Sequence, residues 1–301
     1  MTILFWLGLI KVLWFLASFL RSQFSAKLSL DTYKHGSVCI TGATDGIGKR
    51  LAHDFLVRGF SVVLVSRSPQ KLEKVKNELS AATKNDKITT VVADFSQSHA
   101  EPSVFYSELY DRLKDLGISV LINNVGVAEY ASFESLDLKA IESMIGVNVY
   151  PVVHLTKLFL PVFTQKFEET GQKCLIMNLS SISAYLNCQR TSVYSATTTY
   201  ISNFTMAIMH EAGESVDVTL VAPGLVKTPM TKHLNLTHAL TIVSDADYCN
   251  SLLSNLSRGI TIGHWKHWVL LTLFEGIPLE VYFRLTGILV PLSNKILGWD
   301  K

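Results

Sequence analysis

The sequence predicts a doubly wound α/β fold: one parallel sheet with helices on both faces, in a single domain behind an apolar N-terminal helix. Three observations carry that expectation. Short apolar runs alternate with longer amphipathic stretches from residue 36 onward. The runs are rich in β-branched residues and lack apolar/polar alternation, as strands covered on both faces do. The first run leads into a glycine-rich turn and then a helical pattern, the start of a strand–turn–helix unit.

Taken in chain order, the first element is residues 3–20, ILFWLGLIKVLWFLASFL, in which Lys11 is the single charge. As a helix these residues span about 27 Å, close to a hydrocarbon core of about 30 Å. A mid-span lysine costs about 2.5–3.5 kcal/mol, which the surrounding Leu, Ile, Phe and Val can offset. The segment reads as a membrane anchor within residues 1–27. A secretory signal peptide is disfavoured because no charged start and no A-x-A site are present. An interfacial helix would show a clear polar face, and a buried core helix of this length stays open. Arg21, Lys27 and Lys34 follow the span, which places the globular part in the cytosol by the positive-inside rule.

Strands are expected at 37–41 (SVCIT), 61–66 (SVVLVS), 88–93 (ITTVVA), 119–123 (SVLIN), 173–179 (KCLIMNL) and 217–222 (DVTLVA). Helices are expected between them at 46–59, 68–82, 102–116, 137–166 and 191–213. No linker-like composition and no internal repeat divides residues 36–263, so they form one domain, with 264–301 as an apolar tail. The tail's runs at 268–274, 281–283 and 285–292 are interrupted by Glu275, Pro278, Glu280 and Arg284. None is long enough for a second span; the tail is expected to lie on the membrane or to pack on the domain or a second copy.

Composition narrows the function. Of 301 residues, 48% are hydrophobic and only 17% charged, which excludes a disordered chain and favours membrane contact or a large apolar surface. A net charge of +2 carries no nucleic-acid footprint. Cys39, Cys174, Cys188 and Cys249 show no CxxC spacing, and Cys39 and Cys174 fall in expected buried strands, so reduced thiols are expected. His233/His238 and His264/His267 have no thiolate or carboxylate at zinc-site spacing, so no metal site is expected.

The turn after the first strand reads Thr41-Gly42-Ala43-Thr44-Asp45-Gly46-Ile47-Gly48. Glycines there let backbone approach a pyrophosphate, which the following helix N-terminus attracts. The second strand ends at Ser66-Arg67. An acid at that place would take a ribose 2′-hydroxyl; an arginine offers its fork to a 2′-phosphate, so NADP(H) is favoured over NAD(H), against the plainer reading of a solvated arginine.

These residues, with Asp94 after the third strand, Asn123-Asn124-Val125-Gly126 after the fourth, Asn148, Ser181 thirteen residues before Tyr194, and Pro223-Gly224 after the sixth, resemble the short-chain dehydrogenases/reductases over about 36–263. TGATDGIGK, LINNVG and the N-terminal span are most similar to the branch of 17β-hydroxysteroid dehydrogenases and very-long-chain 3-oxoacyl-CoA reductases. The resemblance implies a Rossmann-like fold, NADP(H), a steroid or fatty-acyl substrate, the endoplasmic reticulum membrane and pairing of two copies through long helices. It implies that Gly42, Thr44, Asp45, Gly46, Ile47 and Gly48 line the pyrophosphate. Arg67 would meet the 2′-phosphate, Asp94 the adenine, and Asn123 the nicotinamide side. Pro223, Gly224, Val226 and Thr228 would border the nicotinamide. Tyr194 would donate a proton to the substrate carbonyl beside the cofactor, Ser181 would hydrogen-bond the same oxygen, and Asn148 would complete the set.

One position departs from the family. Its members carry a lysine four residues after the tyrosine, on the same helix face; this chain carries Thr198. Threonine can hydrogen-bond a ribose hydroxyl but supplies no charge to lower the phenol's pKa. Two readings follow: an NADPH-dependent carbonyl reductase, or a catalytically impaired NADP-binding protein with a regulatory or scaffolding role. Arg190, four residues before Tyr194, is the one candidate surrogate cation. Met230, Leu234, Leu236, Leu240 and Ile242 suit a lipid or steroid cover, or ordinary helix packing.

Overall fold

The computed structural model describes residues 6, 27–98, 100–186, 190–232 and 241–274. The expectations placed on the N-terminal span, on Cys188, on 233–240 and on the tail after residue 274 lie outside these residues.

Six strands match the expected runs to within a residue at either end: β1 (Ser37–Thr41), β2 (Val62–Ser66), β3 (Ile88–Val92), β4 (Ile118–Asn123), β5 (Cys174–Leu179) and β6 (Val216–Val221). Two short strands, β7 (Val226–Lys227) and β8 (Val243–Ser244), pair with each other outside the sheet. β9 (Gly259–Thr261) closes the far edge. The order is β3-β2-β1-β4-β5-β6-β9, and every neighbouring pair is parallel.

The helices are α1 (Gly46–Val57), α2 (Pro69–Thr83), α3 (Pro102–Leu113), α4 (Leu138–Thr170), α5 (Ser192–Glu211), α6 (Asp245–Ser254) and α7 (Trp265–Phe274). Alternate strand residues face opposite layers. Val38, Ile40, Leu64 and Ile122 pack against Leu51 and Phe55 of α1, Leu72 of α2 and Leu252 of α6. The intervening Cys39, Val63, Val65 and Leu121 pack against Leu109 of α3 and Leu155, Phe159 and Phe163 of α4. Both faces are therefore apolar, which is why the strands show no alternation. Each fully buried aliphatic side chain contributes about 1.5–3 kcal/mol.

Local signals set the helix ends. Ser68 caps α2, accepting from Lys71 N at 3.2 Å, with Pro69 in the first turn. Asp137 caps α4, accepting from Lys139 N at 3.0 Å, and Gly171 ends it at φ +70°. α4 has the length and hydropathy of a membrane span, but half of its most apolar window is buried, and its apolar side packs on the sheet. It is a core helix. Upstream of residue 36 the chain is already fastened to the domain. Leu28 N donates to Leu256 O at 2.8 Å, and the buried Tyr33 hydroxyl donates to Asp217 Oδ2 at 2.8 Å.

Candidate active site

The strand order reverses between β1 and β4, so the turns after those two strands leave the sheet in different directions and open a crevice. Thr41 and Asn124 sew its edges together. Thr41 Oγ1 accepts from Asn124 N at 2.9 Å and Val125 N at 3.0 Å, and Asn124 Nδ2 donates to Thr41 O at 2.8 Å. Gly42 and Gly46 have φ of +65° and +51°. Gly48 is required by space: a Cβ there would lie 2.4 Å from Asn124 Nδ2 and 2.6 Å from Gly42 O. The turn is thus a backbone cradle at the start of α1, with no side chain filling it at these three positions. That is the shape and polarity a pyrophosphate requires. Asn124 holds the cradle, a role its sequence position beside Asn123 did not disclose.

The flanking residues divide in two. Thr44 is buried and hydrogen-bonds Ser66 Oγ at 2.9 Å, tying the cradle to the end of β2. Ile47 is partly buried against the core. Asp45 is exposed, and Lys71 Nζ lies 3.3 Å from its Oδ2, offsetting a negative charge beside an anion site. Arg67 is exposed directly after β2, free of the sheet and within the same strand-end layer. Asp94 Oδ1 accepts from Ser96 N at 3.1 Å and Ser96 Oγ at 2.7 Å, which fixes its carboxylate after β3.

Asn123 is a sheet-interior residue. It is 1% exposed and its Nδ2 donates to Asn178 Oδ1 at 2.8 Å, joining β4 to β5. Asn148, on α4, is also buried. Its Oδ1 accepts from Val127 N at 2.8 Å, while its Nδ2 donates to Val127 O and Thr197 Oγ1, both at 3.0 Å. It thereby locks the loop after Val125-Gly126 to α5.

Ser181 follows β5, Tyr194 lies in the first turns of α5, and the serine is close enough to the phenol to influence its acidity. Ser181 Oγ also lies 3.4 Å from Pro223 O, so the serine–tyrosine pair abuts the loop after β6. Burial pushes the Tyr194 phenol up, and Ser181 opposes that shift. Arg190, at φ +63°, precedes α5. Thr198 is 3% exposed and its Oγ1 donates to Ser195 O at 2.9 Å, while its carbonyl accepts from Ser180 Oγ at 2.8 Å. The place of a cation is taken by a closed hydroxyl network.

Beyond Pro223-Gly224, Val226 is 2% exposed and its side chain belongs to the core, so only its backbone is free to face a ligand. Thr228 caps the turn Pro229–Thr231 and lies against the cradle, its Cγ2 3.0 Å from where a Gly46 Cβ would be. The sequence-derived residues therefore gather along the C-terminal ends of β1, β2, β4, β5 and β6. Asn123 and Val226 stand one layer behind the others.

Residues 36–239 match the family model described as short chain dehydrogenase. A very-long-chain 3-oxoacyl-CoA reductase of Coccidioides immitis is 30% identical over 293 residues, covering 94% of this chain and 80% of that protein. Human 17-beta-hydroxysteroid dehydrogenase type 3 is 34% identical over 248 residues, covering 81% of this chain and 76% of that one. Among solved structures, a short-chain dehydrogenase from Sphingobium yanoikuyae in complex with NADPH superposes with a TM-score of 0.67 at 23% identity, covering 81% of this chain and 97% of the other. The chain belongs to the short-chain dehydrogenase/reductase family.

Proposed function

We propose that this protein is an NADPH-dependent carbonyl reductase for an apolar ketone, a steroid or a 3-ketoacyl chain. The observation that carries the reading is the gathering, at the C-terminal ends of the strands, of Tyr194, of Ser181 beside Pro223, and of a glycine turn whose close packing admits no side chain at Gly42, Gly46 or Gly48. The names of the relatives supply the two substrate classes.

The cradle fits a dinucleotide because the first-turn N–H groups of α1, from Gly46 to Gly48, have no acceptor within the helix. Gly42, Gly46 and Gly48 would hold the pyrophosphate, Arg67 the 2′-phosphate, Asp94 the adenine side, and Thr228 with the Pro223-Gly224 backbone the nicotinamide side. The cofactor, when bound, supplies a hydride. The chain's own task is to manage the substrate oxygen, which gains negative charge as the carbonyl is reduced. Ser181 donates a hydrogen bond to that oxygen and Tyr194 donates its proton. A raised phenol pKa leaves Tyr194 protonated at neutral pH but makes it a weaker proton donor, and it disfavours the reverse, base-catalysed direction more strongly. Asn148 holds the backbone at Val127 and the start of α5, and so the distance between the phenol and the crevice.

The surroundings of Thr198 favour a second reading, an NADP-binding protein with little or no turnover and a regulatory or scaffolding role. One assay separates the two. NADPH oxidation is followed with a 17-ketosteroid and with a 3-ketoacyl-CoA, using Tyr194→Phe as control. Turnover well above the control supports the reductase; NADPH binding with no turnover above the control supports the second reading.

Residues 3–20 would anchor the chain in the endoplasmic reticulum membrane, with the domain in the cytosol beside membrane-dissolved substrate; the charges at Arg21, Lys27 and Lys34 support that orientation. A homodimer is supported by an apolar groove of about 680 Å3 between α4 and α5, lined by Phe133, Ile141, Ile145, Val149, Val193 and Tyr200. Tyr194 and Ser181 do not line it, so pairing there would leave the crevice open.

A further inference from the structure

α7 lies against the loop that follows β6, and His267 is its point of contact. The side chain is fully buried. Nδ1 accepts from the Gly224 N–H at 3.0 Å, which places the ring proton on Nε2, 3.2 Å from Leu225 O. A single neutral tautomer therefore satisfies two successive residues of the loop. Gly224 does not adopt the left-handed region, so backbone freedom does not explain it. Space does: a Cβ there would lie 2.7 Å from His267 Cδ2 and 2.8 Å from Cγ.

The ring has little room to move. Tyr248, itself buried, has its ring centroid 5.5 Å away. Leu271, one turn further along α7, packs with Ile182 and Leu186 on the turn after Ser181. Ile182 N in turn donates to Pro223 O at 2.9 Å. The helix thus grips both the serine turn and the Pro223-Gly224 loop. His267 lies beyond residues 36–239, the segment that the family model matches.

We propose that His267 is a positioning residue that fixes the Gly224–Leu225 backbone and so sets the nicotinamide side of the cofactor site. The proposal rests on the reading of Pro223-Gly224 as the cofactor loop. Burial pushes the imidazole down to about 4, consistent with a neutral ring that accepts at one nitrogen and donates at the other.

The test uses the full chain in detergent. His267→Gln keeps one acceptor and one donor; His267→Leu keeps apolar bulk and neither. Steady-state rates are measured while NADPH and ketone are varied separately. Positioning predicts that His267→Leu raises the KM for NADPH tenfold or more with the ketone KM within twofold, and that His267→Gln recovers most of the loss. A merely structural role lowers kcat through loss of folded protein and leaves both KM values unchanged; that result, or parental kinetics in folded His267→Leu, overturns the proposal. If His267→Leu fails to fold, His267→Asn, too short to bridge both groups, takes its place. Failure of the cofactor reading is distinguishable, because the parent would then bind no NADPH. Amide exchange at Gly224 still decides the contact itself: slow in the parent and fast in the variant supports it, equal rates refute it.

Discussion

Replacing Thr198 with lysine restores a cation four residues after Tyr194, on the same face of α5. A unit charge about 4 Å from the phenolate at an effective dielectric of about 20 is worth about 4 kcal/mol, or about three pKa units. The structure reduces that figure. Thr198 is 3% exposed, so a lysine there gives up solvation. Its ammonium would recover part of the loss from Ser180 Oγ and the Thr197 hydroxyl, both already in the network. A net lowering of about one to two units is expected. The assay is the pH dependence of kcat/KM for alcohol oxidation with NADP+, where the phenolate must act as base. Thr198→Lys should move the rising limb, where the phenol deprotonates, to lower pH by about one to two units and raise oxidation at neutral pH about 10- to 100-fold. A folded Thr198→Lys protein with the parental pH profile would refute the reasoning, because the charge would then not reach the phenol.

Four further outcomes follow from the same geometry. Arg67→Ala should weaken NADPH binding by about 10- to 100-fold, the worth of a charge-assisted hydrogen bond, with little effect on NADH; equal loss for both cofactors would remove Arg67 from the 2′-phosphate. Asn148→Ala leaves the Val127 N–H and carbonyl without their partner and should cost about 2–4 kcal/mol in denaturant unfolding; a loss below about 0.5 kcal/mol would contradict it. Acid should destabilise the fold between about pH 6.5 and 4, because His267 is held neutral to about 4 while the unfolded chain takes up a proton near 6.5; pH-resolved unfolding of His267→Gln should lack this component. Alkali should also destabilise it. Burial raises the Cys39 thiol to about 12 and lifts Tyr33 and Tyr106, so the unfolded chain releases these protons first and stability falls above about pH 9; a stability curve flat from pH 8 to 11 would contradict this.

The sheet was legible because its signal is local. SVCIT and SVVLVS are runs rich in β-branched residues, and each lies within a residue of its observed strand. The last strand is absent from the expected runs: Gly259–Thr261 is short and pairs only with β6, so little in its own sequence marks it. At the site, glycines with positive φ and the Ser181–Tyr194 spacing could be read from the chain, as their chemistry fixes their residue types. The roles of Asn124 and His267 could not. Each acts through contacts between segments far apart in sequence, with Asn124 reaching back to Thr41 and His267 to Gly224. Neither residue type at either position announces such a partner. Asn123 and Val226 show the converse: a motif position can be occupied while its side chain serves the core.

The proposed function depends on the cradle after β1 seating a 2′-phosphorylated dinucleotide beside Tyr194. The direct measurement is an equilibrium titration of the folded full-length chain with NADPH and NADH, in parallel with Gly48→Ala. Saturable binding is predicted, tighter for NADPH than for NADH and lost in Gly48→Ala, whose new methyl would meet Asn124 Nδ2 at 2.4 Å. Absence of saturable NADPH binding by the folded parent, or unchanged affinity in Gly48→Ala, would contradict the claim.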